Sequence, residues 1–94
     1  MQNQHQMIKG YRDLSHDEID LMNKVKAHEA ATQALIGEVR SHLEAQQKDA
    51  QAANQIGEQM RIAHAEPARW LSIARTDFQT GTMALVRAIA QPGT

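Results

Sequence analysis

A helix start is written into this chain at Ser15, and the next proline is Pro67. Ser15-His16-Asp17-Glu18 is a capping box, in which a serine hydroxyl accepts from the third helical amide and a glutamate there reaches back to the cap's own amide. Asp17, Glu18 and Asp20 place negative charge where the helix dipole is positive. Leu14 and Ile19 occupy the two positions of a hydrophobic staple around the cap. Behind this start runs the series Leu21, Val25, His28, Thr32, Leu35, Val39 and His42, widened by Ile36 and Leu43. That spacing predicts a helix from 16 to about 47 with this series as its seam. His28, Thr32 and His42 are polar, so the seam is not that of a pure coiled-coil zipper.

The flanking segments extend the helical reading. Residues 1–9 are polar and end in Met7-Ile8, which fits a short N-terminal helix or arm closed by Gly10. Gln46 to Gln59 is rich in Gln, Ala and Asn and weakly amphipathic, so the hairpin turn is expected there. Pro67 suits the first position of a further helix, or a kink in a longer one. Trp70, Ala74, Phe78, Gly81, Leu85 and Ala88 then recur at helical spacing, flanked by Ile73, Ala84 and Ile89, until Pro92-Gly93. This predicts a helix over 67–90. Gly81 costs ~1 kcal/mol there relative to alanine, so close packing is expected against it. Met83 and Val86 lie off the seam and are expected to serve a second interface. No segment has a strand's period. The predicted fold is all-α, one domain over 1–94: a short N-terminal helix plus an antiparallel two-helix hairpin, assembling as a helical homo-oligomer.

Bulk properties narrow the function. A chain of 94 residues buries only a little over ~60% of its unfolded surface. It has no cysteine to staple it, so packing between subunits is expected to stabilise it. Ten basic and eleven acidic residues leave a net charge of −1, without the basic face that coats DNA or RNA. No apolar run approaches the ~18 residues of a membrane span. The polar start, Met1 to Gln6, lacks the marks of a signal peptide, so a soluble protein that stays where it is made is expected.

Catalysis finds no support. There is no cysteine nucleophile, nucleophile elbow or glycine-rich phosphate loop. The five histidines form no His-Glu-x-x-His, and the pairs Glu38/His42 and His64/Glu66 fall short of the three or four convergent ligands of a metal site. No catalytic residue, metal or cofactor is expected. The single tyrosine, Tyr11, has Lys9 and Arg12 beside it, and Lys26 shares a helix flank with Ile19 and Met22. Rings stack on bases and cations meet phosphates. Taken alone, Tyr11 reads as a packed ring and Lys26 as a solvated lysine; together with Arg12 they point to a flat anionic ligand. In a dimer, two such sets would suit a two-fold ligand with two bases and two phosphates. On the last helix Arg69, Thr76 and Arg87 fall off the seam and Arg75 lies on its other flank. They fit either a solvated face or a second phosphate site at an oligomer axis.

Two longer motifs carry a resemblance. Gly10-Tyr11-Arg12-Asp13-Leu14-Ser15-x-x-Glu18-Ile19-x-Leu21-x-Asn23-x-x-Lys26 resembles the start of the phage anti-CBASS proteins that sponge cyclic nucleotides. Arg69-Trp70-Leu71-x-Ile73-x-Arg75-Thr76-x-x-Gln79-x-Gly81-x-Met83-Ala84-Leu85-x-Arg87-Ala88 is similar to their end. The likeness covers roughly 8–27 and 67–92; the middle, 45–66, carries none. It implies a small helical protomer assembled as a homohexamer, which binds cyclic dinucleotides such as 3′,3′-cGAMP between protomers without degrading them. The effectors of bacterial CBASS immunity would then stay silent, in the cytoplasm of the infected host. The resemblance makes Tyr11 the residue that stacks on a base and Lys26 the one that contacts phosphate. Arg12 and His28 are further candidates for the same ligand. Arg75 and Thr76 match a separate pocket that takes cyclic trinucleotides in some members. The competing expectation is a small helical structural or adaptor oligomer with a protein partner, which the seam residues support equally.

Overall fold

The computed structural model describes residues 12–93, so the expected N-terminal helix lies outside the described residues. The capping box forms as written: the Ser15 hydroxyl accepts from the Glu18 amide at 3.2 Å, and Glu18 Oε1 accepts from the Ser15 amide at 2.7 Å. Helix α1 (His16–Ala52) comes next and runs for 37 residues. It continues past 47 because its Ala- and Gln-rich end favours helix. Asn54, at φ 54°, stops it in a left-handed cap. The Gln55 amide donates to the Ala50 carbonyl and the Asn54 amide to that of Gln51, the paired bonds of a Schellman motif.

Where a turn alone was expected, a second helix forms, α2 (Ile56–Ala65). It folds back over the end of α1, with the Gln59 side-chain amide donating to the Ala50 carbonyl at 3.0 Å. Ala50 is fully buried beneath this corner and Ile62 nearly so. Glu66, left-handed at φ 53°, closes α2 and opens α3 (Pro67–Ala90), with Pro67 at its first turn. A proline there gives up only an amide that has no helical partner anyway. Gln91, at φ 47°, caps α3 before Pro92.

The two long helices lie against each other in opposite directions. Leu43 and Leu71 line one groove, Glu29 meets Thr82 and Val86 in another, and Arg12 reaches Ala90. The packed column is turned from the expected centre toward its flank, where Ile36 and Leu43 were expected to widen it. Val25 and Thr32 sit in the seam as predicted, half-buried. The other column of α1 is Met22, Glu29, Ile36, Leu43 and Ala50, one residue on from Leu21, His28, Leu35 and His42. Ile36 is 5% exposed and Leu35 57%. Helix α3 shows the same shift: Leu71, Thr82 and Ile89 take the places predicted for Trp70, Gly81 and Ala88, and only Ala74 holds its place among the half-buried residues. Val86, expected off the seam, packs within the protomer, whereas Met83 stays exposed. One residue turns a helix by about 100°, so two neighbouring apolar columns are equivalent in spacing and differ only in which one meets the partner helix. Gly81 likewise has nothing within 4 Å of where a Cβ would stand, so the close approach expected there is absent within the protomer.

The result is a rod of 67 × 22 × 15 Å with a radius of gyration of 20.6 Å, against about 12 Å for a compact chain of this length. Among the described residues the buried apolar ones are few: Ala50 and Ile62 at the α1–α2 corner, and Ile36 by itself farther along the rod. Truncating Ile36 to alanine is expected to cost about 2–4 kcal/mol, and enlarging Ala50 to leucine about 1–3 kcal/mol by overpacking. Leu35→Ala, one position away, should cost clearly less than Ile36→Ala. Urea unfolding at high dilution checks all three.

Candidate functional site

The open end of the hairpin is tied by one side chain. Arg12 Nε donates to the Ala90 carbonyl at 2.8 Å and its Nη2 to the Ile89 carbonyl at 2.9 Å. These are among the last carbonyls of α3, which have no intrahelical donor and carry the negative end of the helix dipole. The same guanidinium pairs with Glu18, at 2.5 Å from Nη2 to Oε2 and 3.4 Å from Nη1 to Oε1. Glu18 thus serves twice, closing the capping box of α1 and holding the cation that caps α3. Arg12, and after it the Ser15 amide, hold the Glu18 carboxyl well below the usual 4.5, at about 2. Beside this clasp Asp13 Oδ2 is buried without a hydrogen-bond partner.

The sequence-predicted site residues spread over three sides of the rod. Tyr11 lies outside the described residues. Lys26 is exposed on α1, ~15 Å along the axis from the first residue of the helix. A groove of about 410 Å³ lies between α1 and the tail of α3, lined by Glu29, Met83, Val86, Ala90 and Pro92, and Lys26 is not part of its lining. The groove reaches Ala90, whose carbonyl Arg12 caps. His28, also exposed, is two residues from Lys26 and therefore on nearly the opposite side of α1. The two side chains therefore leave α1 in nearly opposite directions. Arg75 and Thr76 are exposed and diverge as helix neighbours must. Thr76 lines a shallow outer groove with Arg69, Ser72, Ile73 and Asp77, and Arg75 is not part of it.

His28 instead belongs to an apolar face. Leu21, Leu35 and Val39 are exposed on α1, and Trp70, Phe78 and Leu85 on α3. The columns of Leu21 and Leu35 on α1 and of Trp70 and Gly81 on α3 each precede the packed column by one residue. In helices running in opposite directions, the same rotational offset falls on the same side of the pair. The exposed columns therefore make one face of the hairpin, with Gly81 bare in its middle. At one end of it the Arg69 guanidinium lies 5.1 Å from the centre of the Trp70 ring.

Among the described residues no helix is long and apolar enough to cross a membrane, and no three His, Asp or Glu side chains gather as metal ligands. Sequence reasoning missed the clasp. It gave Glu18 a capping role only, and nothing in a sequence relates Arg12 to carbonyls 77 and 78 residues away.

Comparison with known proteins covers nearly the whole length. The family described as Acb2/Tad1, hairpin domain, matches residues 3–90, including the middle segment that the two motifs left uncovered. Anti-CBASS protein 2 of Pseudomonas phage JBD67 is 50% identical over 105 aligned residues, which take in 98% of this chain and 97% of that protein. The alignment is longer than this chain, so the relative carries inserted residues within the matched length.

The clasp has a pH signature. The Glu18 carboxyl is depressed in the folded state, so its stabilising contribution is complete above its ordinary value of 4.5 and drains as pH falls toward 2. Glu18→Gln should lower stability at pH 7 and converge on the wild type between about pH 4.5 and 2. Urea midpoints measured across that range check it.

Proposed function

The chain belongs to the Acb2/Tad1 hairpin-domain family, and from that footing we propose that it is a phage anti-CBASS protein that sequesters cyclic dinucleotides such as 3′,3′-cGAMP without degrading them. The observation that carries this reading is the 50% identity to Anti-CBASS protein 2 across nearly the full length of both chains. In this reading Tyr11 stacks on a base and Lys26 meets a phosphate. Any contact from His28 is made on nearly the opposite side of α1 from that of Lys26. Arg75 and Thr76 serve a second pocket, for cyclic trinucleotides. No chemistry is required of the site. A sequestering protein acts by mass action, so its affinity and its abundance decide how much messenger is left for the immune effectors. It acts in the cytoplasm of the infected bacterium.

The functional unit in this proposal is a homohexamer built from antiparallel hairpins. The chain exposes 7497 Å², whereas a compact protein of its mass exposes about 5,400 Å². The excess is of the order of a specific protein–protein interface. The face of Leu21, Leu35, Val39, Trp70, Phe78 and Leu85 is the surface to be covered, and Gly81 at its centre would let another backbone come close.

Calorimetric titration of the purified protein against a panel of cyclic di- and trinucleotides, with chromatography of the released ligand afterwards, tests the proposal. Submicromolar binding with intact ligand is expected, weakened about tenfold to a hundredfold in Lys26→Ala and comparably in Tyr11→Ala. No heat with any member of the panel would overturn the reading in favour of a helical adaptor with a protein partner. Cleaved ligand would turn it toward a phosphodiesterase.

A further inference from the structure

The guanidinium of Arg12 sits next in sequence to Tyr11, yet its donors are already committed within the protomer. Nε and Nη2 go to Ala90 and Ile89, and Nη1 and Nη2 to Glu18, with a longer bond from Nη1 to the Asp13 carbonyl at 3.4 Å. Its charge is offset by the Glu18 carboxylate and by the carbonyl end of α3. A cation so engaged has little left to offer a phosphate. We infer that Arg12 is a positioning residue: with Glu18 it pins the chain next to Tyr11 to the joined ends of α1 and α3, and ligand binding depends on that anchor rather than on contact between Arg12 and the ligand. This rests on the proposed function, in which Tyr11 belongs to the cyclic-dinucleotide site.

Three features of the clasp fit an anchor. It joins points 77 and 78 residues apart in the chain, so it fixes the segment against the hairpin as a whole and not merely against its own helix. It uses the planar fork of arginine, which holds two acceptors in one geometry and which a lysine cannot reproduce. It also coexists with a buried, unpartnered oxygen on the neighbouring Asp13. A local arrangement that leaves a carboxylate oxygen unsatisfied is unfavourable by itself, and the clasp is the contact that holds the segment in it. An entry segment held in place spares the ligand the cost of ordering it, and that saving appears as affinity.

Two substitutions separate an anchor from a phosphate contact, because the two roles predict different results. Glu18→Gln breaks the pair but keeps the capping box, which a glutamine closes as well, and it adds positive charge near an anionic ligand. A contact role for Arg12 predicts equal or tighter binding of 3′,3′-cGAMP; the anchor predicts weakening by about tenfold. Arg12→Lys keeps the charge and loses the fork. A contact role predicts a loss in this variant that Glu18→Gln does not share, since a lysine meets phosphate as a point charge without the fork; the anchor predicts equal losses in the two variants. Both variants should retain the far-ultraviolet circular dichroism of the wild type. They should also keep its slope of log Kd against log salt, because no phosphate contact has been removed. Wild-type affinity in either variant, or a shallower salt slope in Arg12→Lys, overturns the inference while leaving the sponge reading intact. A wild-type protein that binds none of the nucleotides overturns both.

Discussion

Everything in this molecule depends on one seam, the line along which α1 and α3 meet. It is a thin seam. Apart from Ile36, and Ala50 at its α2 end, its residues are half-buried at best, and Glu29, Thr32 and Gln46 take places where a stronger core would put aliphatic side chains. Two helices cannot enclose a core between them, because each turns most of its circumference to solvent. The remaining apolar columns are left on one face of the rod. The same constraint accounts for its length and for its large exposed surface.

The ends of the rod are closed by two different devices. At one end the α1–α2 corner uses backbone geometry: a left-handed Asn54, bonds back to Ala50 and Gln51, and a side-chain amide from Gln59 on the same carbonyl. At the other end no covalent turn exists, and the closure is electrostatic. Glu18 satisfies the start of α1 and holds Arg12, which satisfies the end of α3. One carboxylate thereby serves helix ends of opposite polarity, through a cation that complements the negative one. The clasp residues Arg12 and Glu18 belong to the first of the two family motifs, so residues next to the proposed ligand contact Tyr11 also close the fold.

The faces of the rod divide the work proposed for it. Lys26 is exposed on α1, on the side away from the apolar face. His28, though only two residues along, belongs with Leu21, Leu35 and Trp70. Candidates that look like one cluster in a sequence are thus separated by helical geometry.

Local signals were legible in the sequence. The cap at Ser15, the start of α3 at Pro67, its end before Pro92 and the absence of strand-period segments all come from residues within a turn of one another, and the structure places them accordingly. The family motifs were legible for the same reason, as short runs of particular residues. Three things were settled only by tertiary structure. The extent of α1 and the existence of α2 depended on how an Ala- and Gln-rich stretch of weak pattern packs back on itself. Which of two adjacent apolar columns forms the seam depended on the rotation of each helix about its axis, since Leu35 and Ile36 are equally good seam residues until a partner helix selects one. And Arg12 acquired its partners from carbonyls at the far end of the chain, which become neighbours only once the hairpin has closed.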